Sequence, residues 1–179
     1  NKSAAEYEIA QFITDLGHDT VTNTKRIIPP QELDIWIPDK NIAIEYNGVY
    51  WHSVLRNPDT KYHLNKYLAC KDKGIHLIQI FDVDWENKKD LIKNRIKTVL
   101  GNSEKIHGRK TTVTRISNTA AKGFCKQHHL AGWATANVCY GAFFKDELVA
   151  VMTFAKPRYN KIAEYELVRY CSAGQIVGG

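Results

Sequence analysis

Apolar residues recur along the chain at two spacings, one typical of helices and one typical of strands. In residues 3–16 they return every three or four positions, with Ser3 placed to cap the helix and Gly17 to end it. In residues 34–45 isoleucine returns at every second position on both sides of the segment 38–41, which reads PDKN. This alternation around a turn predicts a β-hairpin.

The rest of the first hundred residues continues this alternation of elements. A helix is predicted from Lys61 to Lys73, and residues 75–81 are apolar enough for a buried strand that the segment 82–85 closes. A second, basic helix is predicted from about Lys88 to Leu100. Helices that cover a mixed sheet make an α/β fold.

The chain changes in texture after residue 101. The segment 102–110 is polar and contains glycine, so it is predicted to be a linker between a domain at 1–101 and a region at 111–179. That region is predicted to be a smaller α+β unit with an antiparallel hairpin. Its elements are a helix over 118–129, a hairpin over 138–154 and a strand over 164–170.

Charge is distributed unevenly along the sequence. The formal net charge is +6, and residues 1–101 contain 14 Lys and Arg against 14 Asp and Glu. Residues 102–179 contain 11 Lys and Arg against 5 Asp and Glu, so the whole excess lies there. A basic surface favours polyanions such as nucleic acid, although a generally basic protein without such a partner would have the same composition.

The cysteines and the hydropathy indicate the compartment. Four scattered cysteines without a CxxC pair suit reduced thiols in a cytosolic setting. No apolar run approaches the roughly 20 residues of a membrane span, and the first residues lack a signal-peptide pattern. We therefore expect a cytoplasmic protein without a membrane partner.

The hairpin sequence brings two acidic side chains together. If Ile37 faces Ile42 across the turn, the antiparallel register places Asp34 opposite Glu45. Like charges at opposed positions are destabilising unless something compensates them, and a divalent cation would do so. The pair therefore predicts a site for Mg²⁺, with Mn²⁺ able to substitute, and Asn47 follows on the same face. The alternative is a polar face exposed to water.

Residues 48–52, which read GVYWH, follow the second carboxylate directly. The glycine permits a turn, and His52 would then lie near the metal. An imidazole can accept or donate a proton at neutral pH, so His52 is a candidate general base or acid. A histidine beside aromatic residues can equally be structural.

The order D-x10-E-x-N followed by G-x-Y-W-H resembles the PD-(D/E)xK nuclease superfamily, within it the branch related to very short patch repair endonucleases, which includes phage homing endonucleases. The resemblance covers about residues 3–100 and implies a restriction-endonuclease-like domain. It implies that Asp34 is the central metal ligand and that a main-chain carbonyl near Tyr46 is another. Glu45 would then ligate directly or through water, and His52 would transfer the proton.

The same resemblance assigns roles to several further residues. Tyr50 and Trp51 would wedge into the base stack of DNA. Asn47 stands where the family's motif lysine is expected, which shifts proton transfer to His52. Glu6 resembles an acidic residue that the family carries near the metal on its first helix, although a capping box with Ser3 would explain it equally.

Further residues are candidates for contact with DNA. His63 resembles a position that supports the catalytic histidine, or it lies near a phosphate, and the basic helix could follow a phosphate backbone. The full set expected to contact DNA is Tyr50, Trp51, Asn47, His63, Lys88, Lys89, Lys93, Lys156 and Arg158.

The C-terminal strands resemble part of a second family. Residues 141–160, 164–171 and 174–179 resemble the central part of GNAT-like acyltransferases, including the phage Mom-type DNA-modification branch. A similar segment follows the nuclease domain in phage homing enzymes, where it would help to grip DNA.

Together these observations predict a Mg²⁺-dependent endodeoxyribonuclease that acts on double-stranded DNA, most simply a phage homing endonuclease in the host cytoplasm, with a homodimer as a possible assembly. Two alternatives remain open. One is a mismatch-nicking repair endonuclease of the same branch. The other is a DNA-binding or acyltransferase-related module whose nuclease half is vestigial.

Overall fold

The chain folds into two compact units, one formed by residues 1–92 and the other by residues 93–179. The computed structural model describes residues 3–48, 61–159 and 162–178. The helix that runs from Asp82 to Leu100 begins in the first unit and ends in the second. The division therefore lies inside a helix rather than in the predicted linker at 102–110, which contains a short strand at Lys105–His107.

The first unit has a mixed four-stranded sheet flanked by helices, as the sequence predicted. Its elements in chain order are α1 (Ala4–Asp15), β1 (Val21–Ile28), β2 (Gln31–Ile37), β3 (Ile42–Asn47), α2 (Tyr62–Asp72), β4 (His76–Phe81) and α3 (Asp82–Leu100). The sheet order is β1-β2-β3-β4, in which β2 is antiparallel to both β1 and β3, whereas β3 and β4 are parallel.

Helix α1 begins and ends where the sequence signals predicted. The Ser3 hydroxyl accepts a hydrogen bond from the backbone N–H of Glu6 at 3.2 Å and donates one to the Glu6 carboxylate at 2.9 Å. This pairing satisfies one of the free N–H groups at the start of the helix. Gly17, at φ 91°, follows the helix in a left-handed conformation. Ile9 and Ile13 are fully buried.

The hairpin of β2 and β3 has the predicted register. Ile37 pairs with Ile42, and Ile35 pairs with Ile44, so these four isoleucines share one face of the sheet. The turn is a 3₁₀ helix over Pro38–Lys40, after which Asn41 adopts a left-handed conformation at φ 55°.

The sequence suggested that the opposite face of this hairpin carries polar side chains for chemistry, but the structure has apolar side chains on that face as well. Trp36 and Ala43 lie on that face and are buried in a cluster with Cys70 of α2 and Leu77 of β4. The acidic residues therefore continue a second apolar core instead of standing on an open polar surface. Because a buried charge costs free energy unless it is paired, this burial makes the ionisation of the acidic residues depend on their partners.

Two elements of the first unit differ from prediction. Strand β1 was not predicted, because its sequence VTNTKRII is mostly polar. Within it Asn23 adopts a left-handed conformation at φ 53°. Residues 82–85 were expected to close β4 but form the first turn of α3, where Asp82 and Asp84 favour the start of a helix. Lys88 interrupts the helical dihedrals at φ −141° and ψ 36°, which is close to the predicted start.

The second unit contains, in chain order, β5 (Lys105–His107), β6 (Thr112–Arg115), α4 (Asn118–His128), β7 (Val138–Phe144), β8 (Glu147–Ala155), β9 (Glu166–Ser172) and β10 (Ile176–Gly178). Four of these strands form an antiparallel sheet in the order β6-β7-β8-β9, and β5 and β10 form a separate parallel pair. Helix α4 packs on the sheet through Phe124 and Cys125, against Cys139 and Val151. The predicted helix, hairpin and last strand are confirmed, whereas β5, β6 and β10 were not predicted.

Among residues 3–48, 61–159 and 162–178, none of the helices combines the length and the apolar composition that a transmembrane span requires.

Gly141 of β7 is a position where even a methyl group would not fit. A Cβ there would lie 2.6 Å from Leu148 Cδ1 and 3.0 Å from Ile116 Cγ2. We expect Gly141→Ala to destabilise the protein by about 1–3 kcal/mol, because the neighbouring side chains must leave their packed positions. The measurement is the free energy of unfolding in urea.

Gly123→Ala in α4 is the matched control, since a Cβ there meets nothing within 4 Å. It should be neutral or stabilise by up to about 1 kcal/mol, because alanine favours the helix. Equal free energies for the wild type and Gly141→Ala would contradict the packing argument.

Candidate functional site

The candidate site lies in the first unit, where β2 and β3 carry opposed carboxylates. The observed pairs Trp36 with Ala43 and Ile35 with Ile44 put Asp34 opposite Glu45 one step further along the ladder. The backbone N–H of Tyr46 donates a hydrogen bond to Asp34 Oδ2 at 2.9 Å, which fixes the aspartate against β3. The predicted juxtaposition is therefore present in the fold.

Lys66 of α2 completes the site, and the sequence reasoning gave it no role there. Its ammonium group donates a hydrogen bond to Glu45 Oε1, and only 2% of the residue is exposed. The Tyr62 ring lies 5.7 Å from Lys66 Nζ. No local pattern points to this burial, because Leu64 and Leu68 of α2 are exposed whereas Lys66 and Cys70 are its buried residues.

Burial and mutual repulsion set the ionisation of the two carboxylates. Burial, and then the charge of Asp34, raise the pKa of Glu45 to about 7, against the opposing effect of Lys66. Burial also raises the pKa of Asp34, although the hydrogen bond from Tyr46 acts in the other direction. Burial lowers the pKa of Lys66, but the charge and hydrogen bond of Glu45, together with Tyr62 and Asp34, raise it overall.

Two polar atoms at the site are buried without a partner among the described residues. They are Glu45 Oε2 and Asn47 Nδ2. A carboxylate oxygen in that state costs free energy unless a donor or a cation satisfies it. Carboxylate and carbonyl oxygens are the ligands that Mg²⁺ prefers, so Asp34, Glu45 and the carbonyl of Tyr46 fit such an ion. Within the described part of the chain, no three His, Cys, Asp or Glu side chains form a metal-ligand cluster.

Glu6 lies close enough to the pair to affect it electrically. Its charge raises the pKa of both Asp34 and Tyr46. Its carboxylate also accepts the Ser3 hydroxyl, so the capping box and the proximity to Asp34 coexist. Asp82 and Glu86 likewise raise the pKa of Tyr46, after burial. The first helix thus brings a further carboxylate toward the candidate site.

The residues expected to contact DNA lie in different environments in the structure. Asn47 is 1% exposed, so the structure puts it in the interior and not on a surface that DNA would touch. His63 lies on α2 with its ring edge-on to Tyr62, at 5.5 Å between centroids. The predicted residues Tyr50, Trp51 and His52 fall in 49–60, outside the described residues.

Several of the predicted basic contacts have acidic partners. Lys89 Nζ lies 2.7 Å from Glu8 Oε2, and Lys88 Nζ lies 3.6 Å from Asp84 Oδ1. In the second unit, Arg158 Nε lies 3.1 Å from Glu166 Oε1. These pairs offset part of the positive charge that the sequence alone suggested. The remaining two predicted residues are Lys93, in the part of α3 that belongs to the second unit, and Lys156, which is exposed.

No protein-family model and no curated protein sequence matches this chain. Among solved structures, one described as "Homing Endonuclease I-Bth0305I Catalytic Domain" is similar to it, with 22% sequence identity and a TM-score of 0.45. The similarity covers 56% of this chain and 96% of that one. A likeness this weak carries no inference about function, which rests on the geometry of the site itself.

The raised pKa of Glu45 predicts a dependence of stability on pH in the metal-free protein. The pKa of Glu45 is about 7 in the folded protein and about 4.5 for an ordinary glutamate, so the folded state binds the proton more tightly. The stabilisation from that proton is complete below about pH 4.5 and is lost as pH rises through 7, by on the order of 3 kcal/mol. Glu45→Gln should remove this part of the slope.

The free energy of unfolding in urea, determined from pH 4.5 to 8 in the presence of a chelator, measures this dependence of stability on pH. Asp72→Asn, at the exposed end of α2, is the control and should leave the slope as in the wild type. The same slope in the wild type and Glu45→Gln would refute the assignment.

Proposed function

We propose that this protein is a metal-dependent endonuclease that hydrolyses phosphodiester bonds in double-stranded DNA, with its active site at Asp34 and Glu45. The observation that carries the proposal is the opposition of half-buried Asp34 and buried Glu45, one of whose oxygens, Oε2, has no hydrogen-bond partner among the described residues. A purely structural pair of this kind would be destabilising. The sequence resemblance points to the homing-endonuclease type.

Some residues of the site would bind the metal ion, and others would hold these ligands in place. Asp34, held by the N–H of Tyr46, and Glu45, held by Lys66, would ligate Mg²⁺ or Mn²⁺ together with the Tyr46 carbonyl. When bound, such an ion stabilises charge on the phosphoryl oxygens and lowers the pKa of a bound water. Glu6, beside Asp34, would orient water at the edge of the site.

Proton transfer needs a group that titrates near neutral pH. We assign it to His52, whose imidazole nitrogen would take a proton from the attacking water or give one to the leaving 3′ oxygen. Asn47 cannot do this, because an amide neither accepts nor donates a proton at neutral pH.

Affinity for DNA would come chiefly from the second unit. Residues 93–179 contain 14 Lys and Arg against 5 Asp and Glu, whereas residues 1–92 contain 11 against 14. Positive charge binds the phosphate backbone without regard to sequence and weakens with salt. The first unit, which is net negative, would contribute the chemistry instead.

Asp34→Ala and His52→Ala test the assignment on supercoiled plasmid DNA with Mg²⁺. Each should lower the rate of strand cleavage by on the order of 100-fold or more, since one removes a metal ligand and the other the proton-transfer group. Binding to DNA in a gel-shift assay should persist, because the positive charge of the second unit is unchanged.

Asp39→Asn is the matched control in the same hairpin. Asp39 pairs with His18 at 2.7 Å in the turn, and its loss should leave cleavage at the wild-type rate. Undiminished cleavage by Asp34→Ala would exclude the site.

Removal of the metal is an independent test. A chelator should abolish cleavage, and added Mg²⁺ or Mn²⁺ should restore it, because the ion supplies the charge stabilisation on the phosphoryl oxygens. Ca²⁺ serves as a comparison, since it prefers more ligands and longer distances. Full activity in excess chelator would contradict metal dependence.

A further inference from the structure

We propose that Lys66 is the fixed cation of this site: its ammonium group holds Glu45 in place and offsets one of the two carboxylate charges, so that the site with a bound divalent ion is one unit more positive toward a phosphodiester than the carboxylates alone would leave it. The inference rests on the proposed function. Lys66 acts through Glu45 and is therefore a positioning residue.

The geometry defines which oxygen of Glu45 is available. Lys66 occupies Oε1, and Oε2 is left buried and unpaired among the described residues. Since α2 packs on the sheet through Cys70, one turn from Lys66, the ammonium group is fixed by the same core that fixes β3. Glu45 can therefore offer a ligand oxygen on one side only.

Burial keeps Lys66 away from the substrate. The Lys66 side chain is 3% exposed and that of Glu45 is 8% exposed, so the pair is an interior one. A buried ion pair is often no more stabilising than apolar residues of the same size. Asp34 adds to the stabilisation of the charged ammonium, which ties Lys66 to both carboxylates.

The charge balance explains why such a pair would suit a nuclease. As metal ligands Asp34 and Glu45 are ionised and carry two negative charges, and Lys66 carries one positive charge, so a divalent ion brings the sum over these groups to +1. Without Lys66 that sum would be zero, and counting Glu6 at the edge of the site lowers both sums by one unit. Positive charge fixed where negative charge develops lowers the barrier of a phosphoryl reaction.

This assignment predicts changes of opposite sign in two measurements. Lys66→Met should bind Mn²⁺ at least about tenfold more tightly, because a repelling charge is gone. It should also cleave DNA at least about tenfold more slowly at saturating Mg²⁺, because the loaded site is one unit less positive and Glu45 loses its donor. Lys66→Arg, which keeps the charge, should stay within about threefold of wild type in both.

Mn²⁺ binding is measured by electron paramagnetic resonance and cleavage by single-turnover kinetics, on the full chain, after circular dichroism has verified folding. If Lys66→Met does not fold, Lys66→Gln carries the test, since it keeps a donor and loses the charge. Unchanged Mn²⁺ affinity with unchanged cleavage would reduce Lys66 to a structural residue and overturn the inference. Weaker Mn²⁺ binding by Lys66→Met would overturn the inference that the charge of Lys66 opposes the metal ion.

Asp34→Asn separates this failure from failure of the proposed function. If Asp34→Asn loses Mn²⁺ binding and cleavage while Lys66→Met resembles the wild type, the function stands and the role of Lys66 falls. If the wild type neither binds Mn²⁺ nor cleaves DNA, the proposed function falls and the inference with it.

Discussion

The pairing of Ile37 with Ile42 is the constraint on which the candidate site depends. It sets the register of β2 against β3, and a shift of one residue would turn every side chain of the hairpin to the other face. With that register, two carboxylates must lie opposite one another at the edge of an apolar cluster. Lys66 reaches them from α2, so the hairpin, the helix and the charge balance form one interdependent arrangement.

Stability and chemistry make opposite demands on this arrangement. Burial of Glu45 beside Asp34 is unfavourable in itself, as the raised pKa of Glu45 indicates. The Lys66 ammonium group and a backbone hydrogen bond from Asp34 compensate in part, and Glu45 Oε2 is still without a hydrogen-bond partner among the described residues. Incomplete compensation at a few buried polar atoms is what a site for an additional cation would be expected to show.

The two units differ in composition as well as in fold. The first combines a net negative charge with a mixed sheet, and the second combines a large positive excess with an antiparallel sheet. Negative and positive charge in different units suit an enzyme that binds a metal cation and a polyanionic substrate. The acidic ligands of the cation would repel the substrate, so the positive charge that attracts it lies elsewhere.

Local sequence patterns determined much of this structure. The cap at Ser3, the stop at Gly17 and the alternation around the turn at 38–41 fixed α1 and the β2–β3 hairpin, because each signal acts within a few residues. From that register alone the opposition of Asp34 and Glu45 followed. Strand β1 escaped prediction, since a polar strand forms only when a neighbour supplies its hydrogen bonds.

The tertiary structure decided the rest. Lys66 lies 21 residues from Glu45 in the chain, and the identity of its partner depends on how α2 packs, which no local pattern encodes. The burial of Asn47 and the pairing of Lys89 with Glu8 are likewise consequences of packing. By itself, the sequence determined that two carboxylates would meet. Only the fold decided that a lysine would be buried with them, because long-range contacts set the charge of an interior site.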